Sequence, residues 1–421
     1  MTPHESSSSI APRPLKVLLC HSYYQQRGGE DESFEAEAAL LEARGHDVVR
    51  FTRHNDALSQ MPALEAARLT FWNSAIHHDL GRTIARERPD VMHCTNTFPL
   101  ISPSAHYAAA AAGVPVVQSL RNFRLLCPGA FFLRDGHICE DCALKPVAWP
   151  GVQHRCYRNS RAATAVVALA MAAQRTMQAW RQPVALYFTP SAFARSRFLA
   201  AGFPANRVAV KPNFVAPDPG IGPGGDAVVF VGRLSAEKGV ATLLSAWQRL
   251  AEPIPLQVIG EGPLADDVRA AAQTDARIQY LGRRPLTEVL HVLGHARAVV
   301  VPSIWYETFG RTVIEAFARG TPVVASRVGS LQELVDHGRT GLLAATGDAD
   351  DLASSVRWLV QHPDEVGRMR AEARREYETR YTADTNYALL TGLYERARRS
   401  LLAPERSPSA SAAMVEGRRL P

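Results

Sequence analysis

An α/β protein of two similar domains, each built on a parallel sheet, is predicted by three observations. The chain has 421 residues, enough for two cores and too many for one ordinary domain. Short β-type apolar runs alternate with helical stretches along nearly its whole length, which argues for sheets covered on both faces. That alternation is interrupted once, at residues 212–226 (PNFVAPDPGIGPGGD). Proline and glycine are too dense there for a helix or strand to run through, so the segment reads as an interdomain linker.

The elements follow in order. MTPHESSSSIAPRP lacks the apolar stretch of a secretory signal, and residues 1–14 read as a disordered tail. KVLLC after Leu15 is a strand, QQRGGED a turn-rich loop, and SFEAEAALLEARG a helix with a closing glycine. DVVRF (47–51), DVMHC (90–94) and VPVVQSL (114–120) supply further strands, with Ala-rich or amphipathic stretches between them. ALYFTPS, SAFARSRFLAAG and RVAVKPNFV complete a first domain over 15–211. Beyond the linker the alternation resumes with AVVFVGR, PLQVIGEG, IQYLG, RAVVVPS and TPVVAS as strands, giving a second domain over 227–382. One long helical stretch from about Ala371 to Ser400 ends the ordered chain, its part at 383–400 outside the second domain, and residues 401–421 read as a solvated tail.

Composition narrows the class. With 46% hydrophobic and 21% charged residues the chain is globular, which excludes collagen-like, mucin-like and wholly disordered proteins. Lys+Arg 47 against Asp+Glu 41 leaves a net charge of +6. So mild an excess suggests an anionic ligand or a peripheral contact with acidic lipid more than nucleic acid, for which no module is recognised. The longest apolar run, Ala162 to Ala173, is bracketed by Arg161 and Arg175 and is too short to span a membrane. It is a buried helix or an interfacial one.

Parallel sheets bind ligands at the C-terminal ends of their strands, so facing domains place their site in the cleft between them. Three segments of the second domain fall there. In GRLSAEKG, Arg233 follows the strand and Lys238 precedes Gly239, where a helix starts. A diphosphate needs cations that reach it from a loop, and these two residues fit, the alternative being a solvated basic pair. In VPSIWYETFGRTVIEAFARG, Glu307 precedes a helix that begins near Phe309 to Gly310, and Glu315 lies in it, an E-x7-E spacing. A glycine there lets phosphate oxygens approach backbone N–H groups, and the two carboxylates can accept hydroxyls of a sugar and a ribose. Helix-terminal electrostatics for Glu307 and a surface face for Glu315 are the alternatives. In GTPVVASRVGSLQELVDHGRTGLL, Gly329 and Gly341 mark turns and Glu333 lies in a helix, as a ligand contact or an ordinary connection.

Together these segments resemble the family-4 retaining glycosyltransferases of the GT-B fold, over roughly Leu15 to Ser400. The resemblance implies two Rossmann-like domains facing across a cleft, an N-terminal one for the acceptor and a C-terminal one holding a nucleoside diphosphate sugar. It implies no metal or other cofactor for catalysis. Arg233 and Lys238 would hold the pyrophosphate, with the backbone of Phe309, Gly310 and Arg311. Glu307 would meet the donor sugar, Glu315 the ribose, and Arg283 the base, while Gly28 and Gly29 would approach the diphosphate from the first domain. Where many relatives read T-x-H, this chain has Ser119-Leu120-Arg121. An arginine cannot act as a neutral acceptor, but it can neutralise phosphate or bind an acidic sugar. The alternative for Arg121 is that it caps a strand end and touches only solvent or a carboxylate.

The implied reaction moves a sugar to a hydroxyl of a glycan, a lipid-linked sugar or a small molecule, with retention, in cell-surface polysaccharide or glycoconjugate synthesis. A cytoplasmic place at the inner face of a membrane goes with it. The competing readings are a same-fold nucleotide-sugar epimerase or hydrolase, and a non-catalytic sugar-nucleotide-binding protein.

Six cysteines remain. Cys20 and Cys94 lie in strands and read as buried thiols. Cys127, Cys139, Cys142 and Cys156 share one segment that reads as irregular, and a C-x2-C flanked by single cysteines supplies four ligands for a structural zinc. Packed reduced thiols and a redox pair are the alternatives.

Overall fold

The computed structural model describes residues 13–179 and 182–402, the side chains of residues 401 and 402 excepted. The tails expected at 1–14 and 401–421 therefore lie almost wholly outside the described residues.

The strands of the first half are β1 (Lys16–Tyr23), β2 (Asp47–His54), β3 (Val91–Cys94), β4 (Val116–Ser119), β5 (Leu133–Arg134), β6 (His137–Ile138), β7 (Leu186–Thr189) and β8 (Val208–Val210). All but β5 and β6 form one parallel sheet in the order β2-β1-β3-β4-β7-β8. In the second half, β9 (Ala227–Val231), β10 (Leu256–Ile259), β11 (Ile278–Gly282), β12 (Ala296–Val301), β13 (Val323–Ser326) and β14 (Gly341–Ala344) form a parallel sheet in the order β11-β10-β9-β12-β13-β14. In each sheet the chain reverses its direction of travel beside the first strand, so the crevices open at the loops after β1 and after β9.

Helices cover both sheets. Around the first lie α1 (Gly29–Ala43), α2 (Ala63–Phe71), α3 (Ser74–Glu87), α4 (Ser104–Ala111), α5 (Trp149–Gln153), α6 (Arg161–Thr176) and α7 (Ala192–Ala200). Around the second lie α8 (Val240–Arg249), α9 (Ala265–Thr274), α10 (Leu286–Gly294), α11 (Arg311–Ala318), α12 (Leu331–Leu334), α13 (Ala349–Gln361) and α14 (Pro363–Arg380). The closing helix, α15 (Ala383–Leu402), crosses back to the first sheet. Its Leu390, Leu393, Tyr394 and Ala397 pack on Leu19, Phe34 and Val117. Val- and Leu-rich strands buried on both faces, such as Val299 to Val301, give each sheet a core on either side.

The structure departs from the sequence reading in four places. The single C-terminal helix is two, broken at Tyr381 and Thr382, because the Tyr381 ring is fully buried and Thr382 Oγ1 accepts from the Thr385 backbone N–H (3.3 Å), a helix start. GLLA is a strand, β14, where turns alone are expected. The cysteine segment contains a hairpin, β5–β6, turned by Asp135 and Gly136 at positive φ (51° and 78°). Residues 212–226 carry no helix or strand, yet they are strapped to the second domain. Gly222 N–H donates to Arg319 O (2.9 Å), and Arg374 pairs with Asp218 (2.6 Å). A Cβ on Gly222 would stand 2.2 Å from Gly294 O, so these glycines serve close backbone approach instead of slack.

Candidate active site in the interdomain cleft

The loop after β9 carries Arg233 and Lys238, and its shape depends on Gly239. That glycine has φ +72°, and a Cβ there would lie 1.8 Å from Pro302 O. Only a residue without a side chain lets this loop lie against the one after β12. Ile304 N–H then donates to Glu237 O (2.9 Å), and Lys238 Nζ reaches Glu307 Oε1 (2.5 Å). Ser303 Oγ donates to the same carboxylate oxygen (2.8 Å), and the Lys238 ammonium lies 5.3 Å from the Trp305 ring centroid. Glu307 is buried while Lys238 is half-buried, so the pair opens to solvent on the lysine side.

Gly310 caps α11 at φ +89°, where a Cβ would stand 2.8 Å from the Leu331 side chain, so the position calls for glycine. Next to it Arg311 holds Glu315 (3.4 Å) and reaches across to α1, to Ser33 Oγ (3.5 Å) and Glu32 (3.7 Å). Burial raises the Glu315 carboxyl, and Arg311 opposes the shift. Gly29 packs against the Arg311 stem, 3.6 Å from a Cβ built on the glycine. The N-termini of α1 and α11 thus face each other. Gly28 N–H donates to Asp31 Oδ2 (2.9 Å), and Asp31 also holds the buried His21 (2.8 Å), which fixes the first-domain loop to β1.

Arg233 and Arg283 are exposed and hydrogen-bond to none of the other expected site residues. They follow strands on either side of β10, whose end is laced to both: Gly232 N–H donates to Ile259 O (3.0 Å) and Gly260 N–H to Gly282 O (2.9 Å). The segment after β10, Gly260 to Gly262, thus sits between them, which the sequence reading passed over. GEGP, a glycine pair directly after a strand, was the available signal.

Arg121 has a carboxylate partner, the alternative to a phosphate contact. It is 7% exposed; its guanidinium donates to Glu37 Oε1 (2.6 Å) and Asn213 Oδ1, and Lys211 Nζ donates to the same Glu37 oxygen (2.6 Å). Lys211 also reaches Asn386 at the start of α15 (2.9 Å), and His93 meets Tyr394 OH (2.9 Å). Burial alone would raise the Glu37 carboxyl, but Arg121, Lys211 and His93 outweigh it and hold it at about 2. The cluster has one carboxylate for two full cations. Accordingly burial pushes Lys211 down, against the pull of Glu37, and His93 down to about 4. Arg121 meets the cleft only through its backbone: its carbonyl accepts from Thr308 Oγ1 (2.8 Å).

Three more hydrogen bonds close the cleft on that side. Ser191 Oγ donates to Thr308 O (2.7 Å), and the Glu333 carboxylate accepts from the first N–H groups of α7, at Ala192 (3.0 Å) and Phe193 (2.8 Å). Glu333 is therefore an interdomain cap. Gly329 and Gly341 do mark close approaches, to Glu307 and to Val323. Glu30 is a residue the sequence reading missed. It accepts from Asn122 (2.6 Å) and Tyr24 (3.1 Å) beside the glycine loop, and burial raises its carboxyl.

Cys20 and Cys94 are buried and paired in register across β1 and β3. The other four cysteines are free thiols near enough for one to disfavour ionisation of another, and burial lifts Cys142 to about 11. Among the described residues, however, no three His, Cys, Asp or Glu gather closely enough to hold a metal. The expected tetrahedral zinc site at Cys127, Cys139, Cys142 and Cys156 is not assembled: Cys127 packs in the first-domain core and Cys142 beside Ala148 and Val152, while Cys139 and Cys156 stay half-exposed. The segment instead reaches the Glu307 loop through Phe131 on Trp305 (5.0 Å between ring centroids) and Phe132 on Tyr306 (6.1 Å).

Comparison with known proteins agrees with this architecture. Residues 28–213 match the model of the glycosyl transferase 4-like domain, and residues 225–362 that of the glycosyl transferases group 1. A glycogen synthase of Mycobacterium tuberculosis is 34% identical over 209 residues, 48% of this chain and 49% of that protein. An alpha-maltose-1-phosphate synthase of Mycolicibacterium smegmatis is 39% identical over 153 residues, 32% of this chain and 39% of the other. The chain thus spans half or less of the curated relatives it matches. Among solved structures, Anabaena Alr3699/HepE in complex with UDP is 18% identical with a TM-score of 0.64, over 90% of this chain and 100% of that one. The sucrose-phosphate synthase of Thermosynechococcus elongatus is 17% identical with the same TM-score, over 90% and 98%. Two parallel sheets facing across a cleft, with both halves matched in turn, make the chain a member of the family-4, group 1 glycosyltransferases with the GT-B fold.

Proposed function

We propose that the protein transfers a glycosyl unit from a nucleoside diphosphate sugar, held by the second domain, to a hydroxyl acceptor held by the first, with retained configuration. The observation that carries this reading is the meeting of two helix N-termini, at Gly29 and Arg311, beside the Lys238–Glu307 pair. Helix N-termini favour an anion, and a leaving diphosphate is the anion this reaction generates. Lys238 and Arg233 would neutralise it, with the backbone of Phe309 to Arg311 supplying N–H donors. Such preorganised donors act most strongly where charge develops. Lys238 would turn from Glu307 to the diphosphate on donor binding, which frees the Glu307 carboxylate for sugar hydroxyls. Glu315, next to Arg311, suits the ribose, and Arg283 the base.

The buried Arg121 positions the loop at Thr308 in this scheme and does not touch phosphate. On donor binding the Glu307 carboxylate is engaged by sugar hydroxyls and Glu315 stays tied to Arg311, so the departing phosphate is the better-placed acceptor for the incoming hydroxyl's proton. That is the retaining course. The acceptors we favour are glycans or lipid-linked sugars of cell-surface polymers.

A panel of nucleoside diphosphate sugars screened by thermal shift tests the proposal, followed by NMR of the product's anomeric centre. A true donor at a hundred times its dissociation constant adds about 2.7 kcal/mol of stability. The reading fails if no member of the panel raises the melting temperature, and retention fails if the product anomer is inverted.

A further inference from the structure

One face of the first domain combines exposed cations with exposed apolar side chains. Residues 143–180 contain five lysines and arginines and neither aspartate nor glutamate. Arg175 is used internally, donating to the carbonyls of Leu125 and Ala143 (3.3 Å each). Lys145, Arg155, Arg158 and Arg161 are exposed and make no ion pair, while Arg50, Arg82, Arg249 and Arg339 are each paired with a carboxylate.

Large apolar side chains lie among these cations. Leu144 is 73% exposed, Trp149 58% and Leu169 54%. The inner side of α6, at Val167, Ala168 and Met171, packs on Cys142, Ala148 and Val152, which places α5 and its preceding turn beside the helix. The outer side, at Ala162, Val166, Leu169 and Ala173, is half-exposed to exposed and carries no charge. A surface helix that is apolar on both sides normally has something covering the outer one.

We propose that this face, formed by α5, α6 and the Leu144–Lys145 turn, rests on an anionic lipid bilayer. Trp149, Leu144 and Leu169 enter the headgroup boundary, and Arg155, Arg158 and Arg161 meet lipid phosphates along its rim. Charge selects this occupant. A second copy docked face to face would set unpaired arginines against arginines with no acidic group in the stretch to offset them. Among the described residues no helix is long and apolar enough to cross a membrane, so the face lies on the lipid and does not span it. If the transfer reaction proposed above holds, the surface brings the first-domain side of the cleft to a lipid-linked acceptor. The surface itself does not depend on that reaction.

Flotation of the purified full chain with vesicles of phosphatidylcholine, with and without phosphatidylglycerol, tests the inference. Preferential binding to the anionic vesicles, weakened by salt, is expected. Each basic residue near such a surface contributes about fivefold, so R155Q/R158Q/R161Q should lower the partition coefficient by about a hundredfold. Leu144→Ser with Trp149→Ser should reduce binding to both kinds of vesicle. Nucleoside diphosphate binding and melting temperature should stay at wild-type values in both variants, because these side chains are exposed and outside the cleft. Equal flotation with neutral and anionic vesicles, or variants that float like the wild type, would overturn the proposal. So would a wild-type dimer that Trp149→Ser dissociates, which would assign the face to a second copy. Flotation without any nucleoside diphosphate binding would sink the transfer reading and leave this one standing.

Discussion

Lys238 and Glu307 show how residue-level chemistry depends on a partner far away in sequence. Each was readable as a site residue from its own loop, but their contact across 69 positions was not. Lys238→Ala should lower turnover by about 3 kcal/mol in the barrier, roughly a hundredfold, with the fold intact. Glu307→Gln should keep affinity for the bare nucleoside diphosphate and lose turnover; calorimetry showing equal losses for nucleotide and sugar nucleotide would refute its role. Arg121 depends on a distant partner in the same way. It follows β4, where the cleft opens, so its sequence position suggests phosphate, while its partner Glu37 comes 84 residues earlier. Glu37→Gln leaves two buried cations without their anion and should cost about 3–5 kcal/mol in chemical denaturation. Adding Lys211→Met should recover part of that loss, and no recovery would mean that the charge balance is not what the cluster supplies.

Elements decide whether those residues meet. The switch from strand to glycine to helix was legible in GRLSAEKG and in ETFGRT because helix starts leave a local signature. What Gly239 must avoid, the Pro302 carbonyl, belongs to another loop. Gly239→Ala should cost about 1–3 kcal/mol through backbone strain and disturb activity further by moving Lys238. Normal activity in a folded Gly239→Ala protein would refute the loop contact. α7 has its first N–H groups satisfied by Glu333 from the other domain. Glu333→Ala should lower stability by about 1 kcal/mol, as loss of a cap does, and shift small-angle scattering toward a more open chain. An unchanged scattering profile would deny Glu333 its clasping role. The hairpin at Asp135-Gly136 carried a recognisable turn signal, one that the cysteine spacing overshadowed.

For the whole molecule, α15 ties the last residues to the first sheet, and His93 lies where helix and sheet join. It is held neutral, with its pKa near 4 against an ordinary 6.5. As pH falls through that window the unfolded chain takes up a proton that the folded chain refuses, so stability falls. Glu37, held at about 2, adds a further loss only below its ordinary 4.5. Glu30 and Glu315, raised by burial, act in the opposite sense, so the comparison is with His93→Gln. Between about pH 6 and 4.5 the wild type should lose up to about 1.4 kcal/mol per pH unit relative to that variant in urea titrations. Parallel pH profiles would show that His93 is not held neutral. By itself the sequence determined what rests on local order: two alternating α/β halves, the proline- and glycine-rich strap between them, and the loops able to meet an anion. These are legible because strand and helix periodicity and helix-start glycines act over a few residues. The tertiary structure alone decided which side chains are spent on one another: Arg121 on Glu37, Glu333 on α7, α15 on the first sheet, and Cys127 and Cys142 on apolar packing. Burial and pairing across dozens to hundreds of positions leave no local trace, since a charged side chain has the same sequence neighbours whether it is paired or solvated.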